Sequence, residues 1–352
     1  MAAYINGIGT ISPQHTFGDA PFLETPQEFT TNRLASKEPD YTNWIDAKGI
    51  RRMSRIIKMG VASASLALKE AGIEKPDAII TCTAFGCMED TGIFITKMVE
   101  NNEEALNPTP FIQSTHNTIG SQVALLFQCQ GYNQTYSHRA FSFENALLDA
   151  LIMIGENHDN ILVGGVEEIT NISYDLLNRF DLYKENLSSS LSLFESKTKG
   201  VIQGEGASFF LLSNKKTNVS YAKVIDIATF YKPESQAEIQ TKIQRFISHN
   251  AIEANDIDLI LLGKDGDVDR DENYQSVAKK LFPTNALGAF KHLCGEYQTA
   301  NSFALWLAAK ILKENIVPSV VLQGDKPSAL NRILIYNQYR GNHHSLILVE
   351  SC

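Results

Sequence analysis

Cysteine is scarce in this 352-residue chain, and what there is does not pair up. Cys82, Cys87, Cys129, Cys294 and Cys352 are odd in number and stand mostly in apolar stretches. That pattern fits buried thiols of a reducing cytoplasm rather than a disulfide-stapled scaffold, so a cytoplasmic location is expected. Cys82 and Cys87 have no matching second pair, so no metal site is expected. Long apolar runs are missing too. Nothing approaches the roughly 20 residues of a membrane span, and the opening stretch from Met1 has the character of a strand, not of a signal peptide. Basic charge is in deficit, with 31 Lys and Arg against 40 Asp and Glu and a net charge of −9, which argues against nucleic acid as a partner. An acidic protein could still dock on a local basic patch. Arg51, Arg52, Arg55 and Lys58 form one candidate, with a solvated helix face as the plainer reading.

What is present is an ordinary globular composition, 43% hydrophobic and 20% charged. Strand and helix patterns alternate, which predicts an α/β fold with largely parallel sheets. Strands are expected at Tyr4 to Ile11, Asp77 to Thr83, Gly131 to Ser137, Asn160 to Val166 and Leu259 to Lys264. Helical spacing runs from Met53 to Ala71, stopping at Gly72, and from Glu144 to Gly155.

The chain also echoes itself. Leu68-Lys-Glu-Ala-Gly-Ile-Glu leading to the Asp77 strand resembles Ser248-His-Asn-Ala-Ile-Glu leading to the Asp258 strand. Asn145 to Ile154 and the Ile161 strand match Ala300 to Leu312 and a strand expected at Pro318 to Leu322. Two echoes in one order suggest duplicated halves, residues 1–215 and 216–352, divided at the polar stretch Asn214 to Asn218.

Residues 136–147 read Tyr-Ser-His-Arg-Ala-Phe-Ser-Phe-Glu-Asn-Ala-Leu, a tight turn from strand into helix. Such an elbow holds reactive side chains in several acyl-transfer enzymes, yet this one offers Phe141, which neither ionises nor attacks a carbonyl. Four more segments stand in order along the chain: Tyr4-Ile-Asn-Gly-Ile-Gly-Thr-Ile-Ser-Pro13, Asn107-Pro-Thr-Pro-Phe-Ile-Gln-Ser-Thr-His-Asn117, Val163-Gly-Gly-Val-Glu-Glu168 and Gly204-Glu-Gly-Ala-Ser-Phe-Phe-Leu-Leu212. Together with the elbow they resemble the β-ketoacyl synthases of the thiolase superfamily. The resemblance implies two duplicated halves stacked as five α-β-α-β-α layers.

The same resemblance implies a catalytic cysteine and two histidines, and this chain departs from all three. Phe141 stands at the cysteine position, Leu262 at that of the first histidine, and Glu296 at that of the second, in Lys291-His-Leu-Cys-Gly-Glu296. The family's C-terminal gate survives only as Gln338-Tyr-Arg-Gly341. His292, His116 and Cys294 are the substitutes to consider. A hydrogen-bonded structural histidine and a buried thiol are the plainer readings, as is a structural tie between Lys291 and a carboxylate such as Glu296.

Relatives of this kind that lack the catalytic residues serve as chain-length factors beside an active ketosynthase, in polyketide, aryl-polyene or flexirubin-type systems. The resemblance therefore implies an active ketosynthase subunit and an acyl carrier protein as partners, with a homodimer in isolation, and no cofactor. The Gly131 to Ser137 strand would pair across the dimer. Phe141, Lys291, Tyr339, Thr115, His116 and Thr118 would border an acyl pocket or tunnel. Two alternatives stay open: an acyltransferase or thioesterase built on Glu296, His292 or His116, and a carrier-protein-binding scaffold.

Overall fold

The computed structural model describes residues 3–352; Met1 and Ala2, where the opening stretch starts, lie outside the described residues. Its strands are β1 (Ala3–Ile11), β2 (Arg33–Leu34), β3 (Ala78–Cys82), β4 (Tyr132–Tyr136), β5 (Ile161–Glu167), β6 (Gln203–Gly204), β7 (Gly206–Ser213), β8 (Ala222–Tyr231), β9 (Leu259–Leu262), β10 (Ala286–Ala289), β11 (Arg332–Tyr339) and β12 (His343–Glu350). Its helices are α1 (Ala47–Arg52), α2 (Arg55–Ala71), α3 (Met88–Glu100), α4 (Pro108–Gln113), α5 (Thr118–Leu126), α6 (Ser142–Gly155), α7 (Asn171–Asn178), α8 (Gln236–His249), α9 (Val268–Leu281), α10 (Lys291–Cys294) and α11 (Asn301–Glu314).

Ten strands hydrogen-bond in the order β10-β9-β11-β12-β8-β1-β7-β5-β3-β4. The order is a mirror. One five-stranded set reads β1-β7-β5-β3-β4 outward from the centre, the other β8-β12-β11-β9-β10, and they meet where Tyr4 pairs with Lys223. Within each set the inner pairs are antiparallel and the outer pairs parallel, so the sheet is mixed and not largely parallel. The short turn between Tyr339 and His343 can join only antiparallel strands.

Three separate cores make the five layers. One outer core packs α2 and α5 on one face of the first set, through residues such as Ile57, Val123 and Leu162. The other packs α8 and α9 on the second set, through Ile243, Val277 and Ile260. Between the two sets lie α6 and α11, with Phe143, Leu147, Phe303 and Trp306. Strands buried on both faces need no polar alternation, hence the apolar runs Ala78-Ile-Ile and Leu259-Ile-Leu-Leu. Each large aliphatic side chain so buried stabilises the fold by about 1.5–3 kcal/mol.

Local chemistry sets several boundaries. The expected helix from Met53 begins at Arg55, because Met53 and Ser54 are extended and break it from α1. It ends at Gly72, whose φ of 68° places it in the left-handed region. A Cβ on Gly9 would fall 1.9 Å from the Ser63 carbonyl, so the Gly-Ile-Gly of β1 is what lets α2 lie against the strand. The strand expected at Pro318 to Leu322 is a turn instead, closed by Val321 N–H donating to the Pro318 carbonyl. Proline at its head has no N–H for a ladder, and β11 takes the place opposite β5. Among the described residues, no helix is long and apolar enough to cross a membrane.

Candidate functional site

The elbow is formed as the residue pattern suggests. β4 ends at Tyr136, Arg139 takes a positive φ of 45°, and α6 starts at Ser142. Ser142 Oγ accepts the His138 N–H at 2.9 Å and donates to the Arg139 carbonyl at 2.7 Å, so the turn is locked by its own hydroxyl. Phe141 is buried at its head, its ring stacked on His138 at 5.6 Å and edge-on to His343 at 4.9 Å.

From the second set comes the turn after α10. Gly295, at φ 75°, lies against Gly204; a Cβ on Gly204 would sit 1.8 Å from the Cys294 carbonyl. This contact joins the Gly-Glu-Gly loop of the first half to the Lys-x-x-x-Gly-Glu turn of the second. Glu205, between the glycines, accepts from both terminal guanidinium nitrogens of Arg55 and from the N–H groups of Ser36 and Ile169. Arg55 therefore belongs to an internal ion pair, apart from the exposed Arg51 and Arg52 of the supposed basic patch.

Lys291 is fully buried, and its Nζ donates to Glu296 Oε2 at 2.7 Å and to the Gln338 carbonyl at 3.1 Å. Glu296, Glu167, Glu168, Asp265, Arg270 and Tyr339 line an inner cavity of about 30 Å³. That is room for about one water molecule. Burial pushes the Glu296 carboxyl up to about 7, with the Lys291 charge opposing. Burial also lifts Glu167 to about 8, although the Ala84 N–H holds its carboxylate, and Glu168 to about 7.

The structure does not gather Phe141, Leu262 and Glu296 around one cavity. On β9 alternate side chains face opposite layers, so Leu259 and Leu261 point to the central core while Leu262 packs outward with Tyr274 and Tyr336. Asp265, three residues on, reaches the cavity instead. Phe141 lines a different groove of about 710 Å³ with His138, Arg139, Tyr231 and His343. Lys291, Glu296 and Tyr339 do meet. Thr115 and Thr118 share a hydrogen bond at 2.9 Å and border a third groove, of about 420 Å³, on the outer surface, with His116 exposed beside them.

The substitute nucleophile and base are held in unreactive settings. His292 Nε2 is bonded to the Val320 carbonyl at 2.9 Å, and burial pushes the imidazole down to about 4, leaving it neutral. Burial drives the Cys294 thiol well up, away from thiolate. Among the described residues, no cluster of three His, Cys, Asp or Glu is placed to hold a metal ion. Sequence reasoning missed Asp265 and Arg270, whose Asp-Gly-Asp-x-x-Arg spacing was the available signal, and missed His343, for which there was none.

A family model described as "Beta-ketoacyl synthase, N-terminal domain" matches residues 12–218, more than half the chain. No curated protein matches the sequence. Among solved structures, the chain is similar to the ishigamide ketosynthase/chain length factor, at TM-score 0.83 and 14% identity, covering 100% of this chain and 99% of that one. It is similar to a β-ketoacyl synthase from Burkholderia phymatum, at TM-score 0.80 and 15% identity over 99% of each chain. A third is AntDE:AntF, a type II PKS acyl-carrier protein in complex with its ketosynthase bound to the hexaketide, at TM-score 0.77 and 14% identity, covering 100% and 99%.

Proposed function

Because the chain belongs to the β-ketoacyl synthase family, we propose that it acts as a chain-length factor, a non-condensing subunit paired with an active ketosynthase. The observation that carries this reading is the buried Phe141 at the head of the elbow, a side chain that cannot attack a carbonyl; separately, the inner cavity lined by Glu296 holds only about 30 Å³. Small-molecule sites usually offer about 300–1,000 Å³. With no thiol at its elbow and room for about one water beside Glu296, the chain is not equipped to hold an acyl group covalently.

Support for pairing comes from the surface. β4 is an edge strand, and an unpaired edge is a template for another chain. Exposed Leu125 and Leu126 on α5 and Leu148 and Ile152 on α6 flank it. A partner ketosynthase that adds its own edge strand there would bury this apolar rim, and Thr115, His116 and Thr118 would face its acyl tunnel. A carrier protein, acidic by expectation, would meet the exposed Arg51 and Arg52.

The test is co-expression with a ketosynthase that retains its Cys-His-His set, followed by sizing and product analysis. The heterodimer should condense acyl and malonyl carrier proteins, and this chain alone should not. Turnover by this chain alone would sink the reading.

A further inference from the structure

The β4 edge of the sheet has a composition at odds with the rest of the molecule. From Ala105 to His138, a stretch that takes in α4, α5 and β4, there is no Lys, Arg, Asp or Glu, although 20% of the chain is charged. Leu125, Leu126, Tyr132, Leu148 and Ile152 stand exposed around the strand. One carboxylate interrupts this uncharged rim. Tyr132 donates its hydroxyl to Asp149 Oδ2 at 3.0 Å, while burial and then the Asp149 carboxylate raise the Tyr136 phenol. Tyr132 and Tyr136 are the two ends of β4 and share one of its faces, because alternate residues point the same way. Asp149, reached from both ends, lies over the middle of the strand. Among the described residues, no Lys or Arg forms an ion pair with it.

A second copy of this chain fits that edge badly. Antiparallel pairing over the whole strand sets Tyr132 of one copy opposite Tyr136 of the other. The two-fold axis then stands perpendicular to the sheet, so both Asp149 carboxylates come to the same face, where like charges repel. Neither copy brings a cation there. No Lys or Arg occurs between Arg139 and Arg179, so α6 has none, and Arg139 lies past the end of β4. We propose that Asp149 makes this edge refuse a second copy of the chain and accept a partner whose edge strand is flanked by a Lys or Arg. The apolar rim offers area to either occupant; the carboxylate, closed off from water as the strands join, decides between them. The homodimer expected from the resemblance is then the weaker pairing. That the partner is a ketosynthase rests on the reading above; the charge rule rests on the edge alone.

The test compares the purified full chain with D149N, D149K and D325N by sedimentation. D325N removes a charge beside β10, at the far edge of the sheet. D149N keeps an oxygen for the Tyr132 hydroxyl and should melt like the parent. It should self-associate at least about tenfold more tightly than the parent, and D325N should not. In native mass spectra of an equimolar mixture, isotope-labelled parent and D149K should form more mixed dimer than random pairing gives. D149K should also lose the parent's complex with a ketosynthase that retains Cys-His-His. D149N no tighter than D325N, mixed dimers at the random level, or D149K pairing with the ketosynthase as well as the parent does would each overturn the proposal. Preferential mixed dimers from a chain that forms no complex with any ketosynthase would uphold the charge rule and remove the partner reading alone.

Discussion

Lys291 and Glu296 form a buried ion pair at 2.7 Å across a turn that the left-handed Gly295 makes possible. By the family resemblance alone, Glu296 stands at a histidine position. Breaking one side of such a pair leaves the other uncompensated, at a cost of about 3–5 kcal/mol. K291M should therefore lower stability in urea unfolding by about that much. K291M/E296L should recover part of the loss, because two apolar groups leave no orphaned charge. A double variant as unstable as the sum of its singles would contradict the coupling.

Stability should fall as pH rises through neutrality. Glu167 and Glu296 are carboxyls whose folded values, about 8 and about 7, lie above the ordinary 4.5. Between those limits the folded chain binds more protons than the unfolded one, so the stabilisation is complete below about 4.5 and lost as the folded values are passed. E167Q keeps an oxygen for the Ala84 N–H and cannot titrate. It should flatten the slope between pH 5 and about 8 in a series of denaturation midpoints.

Restoring a thiol at the elbow should not restore chemistry. F141C removes a buried ring, costing about 3 kcal/mol by the usual large-to-small penalty, and supplies no enolate-stabilising donors. Intact-mass analysis with acyl and malonyl carrier proteins should find neither condensation nor decarboxylation above background.

The Gly204 contact leaves no room for a methyl group. A Cβ at this position would lie 1.8 Å from the Cys294 carbonyl, so G204A must push the two halves apart and should destabilise by more than about 3 kcal/mol. Thermal melts should show the loss, while G72A, at a helix end with open space around it, should lose about 1 kcal/mol for its left-handed φ.

If this chain borders a partner's tunnel, its wall should set product length. T115F, at an exposed position on the outer groove, should shorten the products of the heterodimer without abolishing turnover. One buried methylene is worth about 0.8 kcal/mol, so each carbon excluded changes the distribution by about fourfold. Mass spectra unchanged in length would reduce the subunit to a structural partner.

Much of this was legible in the residues. Alternating apolar runs, the Gly72 stop, the elbow after Tyr136 and the helix-to-strand echo leading to Asp77 and Asp258 each follow from local rules of period, φ and hydrogen bonding, and these survive into the fold, whereas the second echo loses its strand at Pro318 to Leu322. The absence of a thiol or imidazole at Phe141 and Glu296 is likewise a property of composition. What only the tertiary structure decided is which side chains share a space. Leu262 and Asp265 stand three residues apart, yet strand parity turns the first into an outer core and the turn after β9 brings the second to Glu296. Arg55 reads as surface charge until Glu205 meets it from 150 residues away. The His138, Phe141, Tyr231 and His343 wall draws on an elbow, a strand end and a hairpin. No spacing along the chain encodes such a wall, because it arises where the two halves close on each other.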